Sequence, residues 1–162
     1  MELLKKNYLY FFLIFFLFFL DRLSKNYIIE FFLNYESEIY YYNPFLNFVL
    51  IWNEGMAFGL FAVDGFFYDL LSLLVFIVII VLILWFFKSK KYFEKFSISL
   101  VIGGAFGNLY DRIVYHAVPD FIDLHYLDFH WFVFNVSDII ISTGIVLLIV
   151  NDFLIKKDEQ KS

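Results

Sequence analysis

The chain has no cysteine. That excludes disulfides, thiolate metal sites and a cysteine nucleophile. It has two prolines, Pro44 and Pro119, and a turn is expected at each. Charge is sparse and unevenly placed. From Tyr8 to Leu20 there is no charged residue, and from Phe66 to Phe87 the polar residues are Tyr68, Asp69 and Ser72. There is no basic excess either. The net charge of −5 argues against a nucleic-acid partner.

What is present is apolar. Hydrophobic residues make up 62% of the 162, with 25 Phe and 12 Tyr, against roughly 45–50% apolar residues in a soluble domain. A soluble protein of this length has too little interior to hide that surface, so lipid is the expected solvent.

Residues 7–29 reach the ~20 needed to span a bilayer. The apolar core from Tyr8 to Leu20 has the length of a signal-peptide core, but Asp21-Arg22-Leu23-Ser24-Lys25 follows it rather than a small-residue cleavage site. An uncleaved first membrane helix is expected. Residues 66–87, 96–112 and 136–153 predict three more helices. Between the first two, Asn34 to Asp64 is rich in aromatic and β-branched residues bounded by Pro and Gly. That pattern predicts a small sheet on the membrane face. Residues 113–133 read as a loop too polar to span. Gly103 and Gly107 are four apart on the third helix, a spacing that lets a neighbouring helix approach closely.

Four spans put both termini on one side. Lys5, Lys6, Lys88, Lys90, Lys91, Lys95, Lys156, Lys157 and Lys161 then share that side, leaving Arg22, Lys25 and Arg112 on the other. The positive-inside rule places the termini in the cytoplasm. Asp21, Asn53, Asn108, Asp111, Arg112, Asp120, Asn135 and Asp138 consequently gather at the outer level.

Carboxylates at the edge of apolar segments are costly, which makes Asp120 and Asp138 functional candidates. Two acids brought together where water is scarce cannot both ionise easily, so one keeps a proton. One can activate water while the other polarises a carbonyl and protonates the leaving nitrogen. Structural readings stand beside this. Asn135 and Asp138 have the spacing of a helix N-cap and its N3 acid, and Asp120 follows Pro119 as a turn residue does. Asp21 and Lys25 are four apart and can pair on one face; Asp111 can pair with Arg112. Asp123, His125, Asp128 and His130 alternate as metal ligands sometimes do, but their spacing fits no metal motif and a solvated loop is expected.

The ordered motifs carry a resemblance. They are Asp21-x-x-Ser24-Lys25, Asn53-x-Gly55-x-Ala57-Phe58, Gly103-Gly104-Ala105-x-Gly107-Asn108-x-x-Asp111-Arg112, Val118-x-Asp120-Phe121 and Phe134-Asn135-x-x-Asp138. In this order, over nearly the whole chain, they resemble the lipoprotein signal peptidases, the signal peptidase II family of bacterial inner membranes. The resemblance implies an all-α polytopic membrane protein: four transmembrane helices with a small extracytoplasmic β-cradle, as a single membrane-embedded peptidase domain over residues 1–162. It implies an aspartic endopeptidase that cuts signal peptides from diacylglyceryl-modified prolipoproteins, before the lipidated cysteine. Asp120 and Asp138 would be the catalytic pair. Asp21, Lys25, Asn53, Gly55, Asn108, Asp111, Arg112 and Asn135 would support the site or the substrate. No cofactor or metal is expected, and a monomer among membrane lipids is. Ser137 departs from the alanine common before the second acid; it is small and could add a hydrogen bond, so activity is expected to survive.

Two rival classes remain. A proton- or ion-coupled transporter would also use acids in a membrane, but the helix halves away from the polar level are nearly pure Leu, Ile, Val and Phe. A membrane scaffold would be indifferent to both acids.

Overall fold

The computed structural model describes residues 2–54 and 65–159, with side chains described for 7–54 and 68–153. Four helices and one small sheet make up this part. The helices are α1 (Glu2–Leu33), α2 (Gly65–Lys88), α3 (Tyr92–Tyr115) and α4 (Val136–Glu159). Between α1 and α2 lie β1 (Ile39–Asn43) and β2 (Leu46–Asn53). Between α3 and α4 lie β3 (Val118–Tyr126) and β4 (Phe129–His130). The protein is mostly helical with an antiparallel sheet. Among the described residues, three stretches are long and apolar enough to cross a membrane: Asn7–Leu33, Tyr68–Lys88 and Val136–Phe153.

The helix that is not in that set, α3, is the central one. It packs against α1, α2 and α4, so protein rather than lipid covers it. It can therefore carry serines and glycines. Ser97 and Ser99 are fully buried, yet each hydroxyl donates to the carbonyl four residues back, Phe93 at 2.9 Å and Lys95 at 2.7 Å. Leu82 and Phe86 of α2 close on Ile98, Val101 and Ile102, with Phe11, Ile14 and Leu148 packed against them.

Small residues set how closely the helices meet. A Cβ on Gly103 would sit 3.0 Å from the Leu17 Cβ of α1. A Cβ on Gly104 would lie 2.7 Å from the Ser137 carbonyl oxygen and 2.8 Å from Ile141 Cγ1 of α4. The glycine stripe thus serves both neighbours. Gly104→Ala meets a backbone atom, which cannot rotate away, so α3 and α4 must separate. We expect a destabilisation of about 1–3 kcal/mol. Thermal unfolding in detergent checks it.

The sheet corrects the reading of residues 113–133 as a loop. Its order is β1-β2-β3-β4, so a strand from the second connection completes the hairpin made by the first. The hairpin turns at Asn43, whose side-chain oxygen accepts from the Phe45 amide at 2.8 Å. β2 pairs with β3 antiparallel, with Ile51 opposite Asp120 and Asn53 opposite Val118, and the register shifts between Phe48 and Ile51.

Candidate active site

Asp120 lies on β3, and Asp138 lies in the first turn of α4. Backbone pairing brings them together. The Phe121 and Ile122 amides donate to the Phe134 carbonyl at 3.0 and 2.8 Å, and the Phe134 amide donates to the Ile122 carbonyl at 3.1 Å. This clamps the entry of α4 to β3 and sets Asn135 beside Asp120.

Asn135 bridges the two acids. Its Nδ2 donates to Asp120 Oδ1 at 2.6 Å. Its backbone N–H donates to Asp138 Oδ2 at 3.0 Å, and its own Oδ1 accepts the Asp138 N–H at 3.1 Å. The last two are the reciprocal bonds of a capping box. The capping reading and the site reading of Asn135 and Asp138 are therefore one geometry.

Each acid has a second amide donor. Asn53 Nδ2 donates to Asp120 Oδ2 at 2.9 Å. Asn53 faces Val118, two residues from Asp120 on the same sheet face, so this is a diagonal cross-strand contact. Asn108 Nδ2 of α3 donates to Asp138 Oδ1 at 2.8 Å. Asp120 is 5% exposed. Burial pushes its carboxyl up to about 6, against the lowering pull of the Asn53 and Asn135 hydrogen bonds; the Asp138 charge adds to the rise.

Behind Asn108 is a buried charge cluster. Lys25 Nζ, with no exposure, reaches Asn108 Oδ1 at 2.8 Å, Asp111 Oδ2 at 2.6 Å and Asp21 Oδ2 at 2.9 Å. An ammonium has three N–H donors, and here each has an acceptor. Because Lys25 can only donate, it fixes the Asn108 amide with oxygen toward itself and nitrogen toward Asp138. Asp21 Oδ1 accepts the Ser137 N–H at 3.0 Å, which ties α1 to the start of α4. A Cβ on Gly107 would strike this junction, 2.5 Å from Asp21 Oδ2.

Asp21 and Lys25 pair as their spacing predicts. Asp111 does not pair with Arg112. Adjacent helix residues point about 100° apart, and Asp111 turns inward to Lys25 and Arg22. Arg112 instead donates from Nη1 to the Asn108 carbonyl at 3.1 Å and forms no ion pair among the described residues. Arg22, which the sequence analysis used only for sidedness, bridges Asp21 at 2.9 Å and Asp111, over the Tyr110 ring at 4.8 Å. Its position next to Asp21 was the available signal. The Ser137 hydroxyl, which could have added a hydrogen bond to the site, makes none among the described residues. Gly55 lies outside the described residues.

The acidic, His-bearing segment is part of the sheet, not a solvated loop. Asp123 is buried and meets His130 Nδ1 at 2.9 Å and Asn47 Nδ2 at 3.1 Å, and His130 stacks on His125. No group of three metal-ligating side chains occurs among the described residues.

A cavity of about 680 Å³ opens beside Asp138, between the β3–β4 hairpin and α4. Its walls include Leu124, Phe129, Trp131, Phe134, Val146 and Leu147. An apolar groove thus ends at a carboxyl group that faces a second, buried carboxyl through one asparagine.

Known proteins match this chain over most of its length. The sequence model described as Signal peptidase (SPase) II matches residues 13–154. A lipoprotein signal peptidase of Pelagibacter ubique (strain HTCC1062) is 46% identical over 162 residues, covering 98% of this chain and 97% of the relative. One from Clostridium tetani (strain Massachusetts / E88) is 40% identical over 141 residues, covering 86% and 87%. A bacterial membrane enzyme solved by the in meso method at 2.3 Å superposes with a TM-score of 0.74 at 27% identity, over 94% of this chain and 91% of that one. The chain belongs to the signal peptidase II family of membrane aspartic peptidases.

Proposed function

We propose that Asp120 and Asp138 are the catalytic pair of an endopeptidase that removes signal peptides from diacylglyceryl-modified prolipoproteins, cutting before the lipidated cysteine. The observation that carries this is Asn135. One side chain and its backbone hold both carboxyl groups, at 2.6 Å from Asp120 and 3.0 Å from Asp138.

The chemistry follows from the unequal surroundings. Buried Asp120 holds the proton of the pair and donates it toward the scissile carbonyl oxygen. Asp138, accepting two N–H bonds at a helix N-terminus, takes a proton from the attacking water. The water oxygen bonds to the carbonyl carbon. The C–N bond then breaks as the nitrogen gains a proton from the pair. The products are a signal peptide with a new carboxyl end and a lipoprotein with a free α-amino group on its cysteine. The apolar groove at Asp138 offers room for the lipid-bearing or signal-peptide part of the substrate.

In this reading the whole chain is one membrane-embedded domain. All four helices span, α3 being shielded by its neighbours. The sheet is the extracytoplasmic cradle, both termini are cytoplasmic, and the enzyme works as a monomer at the outer face of the bacterial inner membrane. Asp21, Lys25, Asn53, Asn108, Asp111 and Asn135 hold the pair in place. Gly55 and Arg112 are assigned to substrate support by family resemblance.

A gel-shift assay tests the function. Purified protein without added metal should shorten a diacylglyceryl-modified prolipoprotein and leave the unmodified precursor intact. Cleavage of neither by a folded preparation would refute the reading.

The pH dependence has a definite sign. Asp120 must keep its proton in the free enzyme, so kcat/KM should fall as pH rises through about 6. The Asn53 hydrogen bond holds that carboxyl down. Asn53→Leu removes it, so the alkaline limb should move to higher pH even as the maximum drops. A limb that stays put or moves down would place the titration elsewhere.

A further inference from the structure

The last turns of α1 carry a second, smaller cavity of about 390 Å³, lined by Tyr27, Glu30, Phe31, Asn34 and Tyr35. Tyr27, Glu30, Phe31 and Asn34 follow the i, i+3, i+4, i+7 spacing of one helix face. Two of its rings are already fixed. Phe31 and Tyr35 stack at 5.0 Å, and Tyr40 meets both edge-on at 5.4 and 5.6 Å. Glu30 is exposed and makes no ion pair among the described residues. Aromatic faces around a carboxylate form a cup for a cation.

The surrounding charge points the same way. Glu36 and Glu38 follow within a few residues and are also exposed. No Lys or Arg occurs between Lys25 and Lys88, and Lys25 is buried in the charge cluster. An anionic headgroup would be repelled here, and an ammonium attracted.

The helix below the cup says what carries that ammonium. Phe16, Phe19 and Leu23 precede Tyr27 on the same face, at steps of three and four, and all are exposed. At 1.5 Å per residue, Phe19 lies about 16 Å below Glu30 along α1, so the apolar face runs on beneath the cup for about three turns. One face of α1 therefore offers continuous apolar surface beneath a carboxylate-bearing aromatic cup. We propose that this cup binds the ammonium headgroup of a zwitterionic phospholipid, with an acyl chain laid along Phe16, Phe19 and Leu23. The assignment is independent of the peptidase reading and uses none of its residues.

Native mass spectrometry of the detergent-purified full chain tests it, using phosphatidylethanolamine and phosphatidylglycerol of identical acyl chains at equal concentration. The wild type should retain phosphatidylethanolamine about fivefold better, which is about 1 kcal/mol. Glu30→Gln should abolish that preference and Tyr27→Leu should reduce it, with melting temperature and prolipoprotein cleavage unchanged. N-acetylated phosphatidylethanolamine keeps the phosphate and chains but lacks the ammonium, and should lose the advantage. Equal retention of the two lipids by the wild type would mean ordinary annular lipid and would overturn the proposal. So would an undiminished preference in Glu30→Gln, or an acetylated lipid that binds as well as the parent. A raised KM for prolipoprotein in Glu30→Gln, with lipid retention unchanged, would overturn it in favour of a substrate-docking face.

Discussion

Asp120→Asn is expected to lower cleavage of lipidated prolipoprotein by about a thousandfold or more, with the fold intact. An amide cannot supply the proton that the scissile carbonyl and the leaving nitrogen need, and general acid–base catalysis alone contributes ~10²–10⁴-fold. The fold should survive because an amide has the shape of the carboxyl group and can keep one of its two hydrogen bonds. Asp120 accepts from Asn135 Nδ2 and from Asn53 Nδ2. An asparagine there has one acceptor oxygen and one donor nitrogen. Asn135 cannot turn its amide over, since its Oδ1 is held by the Asp138 N–H. The new side chain can keep its oxygen toward Asn135 Nδ2, so that hydrogen bond is retained while the one to Asn53 is given up. Asp138→Asn should be equally inactive but less stable. Both donors to Asp138, Asn108 Nδ2 and the Asn135 N–H, are fixed by other partners. One would then face an N–H, and the helix cap would weaken by about 1 kcal/mol. Cleavage and melting curves measured together separate the two variants. Near-normal cleavage by either would remove it from the chemistry.

How much of this could be seen in the chain depended on whether the partners were local. The capping relation of Asn135 and Asp138, the Asp21–Lys25 pair and the close-packing glycines all rest on spacings of three or four, which the helix itself dictates. β3 was hidden for the opposite reason. Its Pro119 and its charged, His-bearing end read as loop, and only pairing with β2 across the molecule makes it a strand. Asn53 meets Asp120 through that pairing, so no local signal joined them. Arg22 was hidden because its second partner, Asp111, is on another helix. The bridge from Lys25 through Asn108 to Asp138 spans α1, α3 and α4. Each residue could be singled out from the sequence as polar in an apolar setting, but the order of contact is a property of how three helices pack.

That bridge makes Lys25→Met the other large-effect substitution. Asp21, Arg22, Lys25 and Asp111 form a buried cluster with two charges of each sign. Removing the ammonium leaves two carboxylates sharing Arg22, and breaking a buried ion pair typically costs about 3–5 kcal/mol. Methionine fills a similar volume, so the loss is electrostatic rather than a cavity. Activity should fall as well, by a separable route: without Lys25 the Asn108 oxygen loses its donor, and only the bond to Asp138 is left to hold the amide. Restoring the charge balance tells the two apart. Asp111→Asn added to Lys25→Met leaves Asp21 with Arg22, a neutral pair. The double variant should recover much of the lost melting temperature, yet kcat should stay low because the Asn108 oxygen still lacks its donor. Recovery of both together would reduce Lys25 to a purely structural residue. Recovery of neither would mean that the three-way contact of Lys25, rather than net charge, holds α1 to α3.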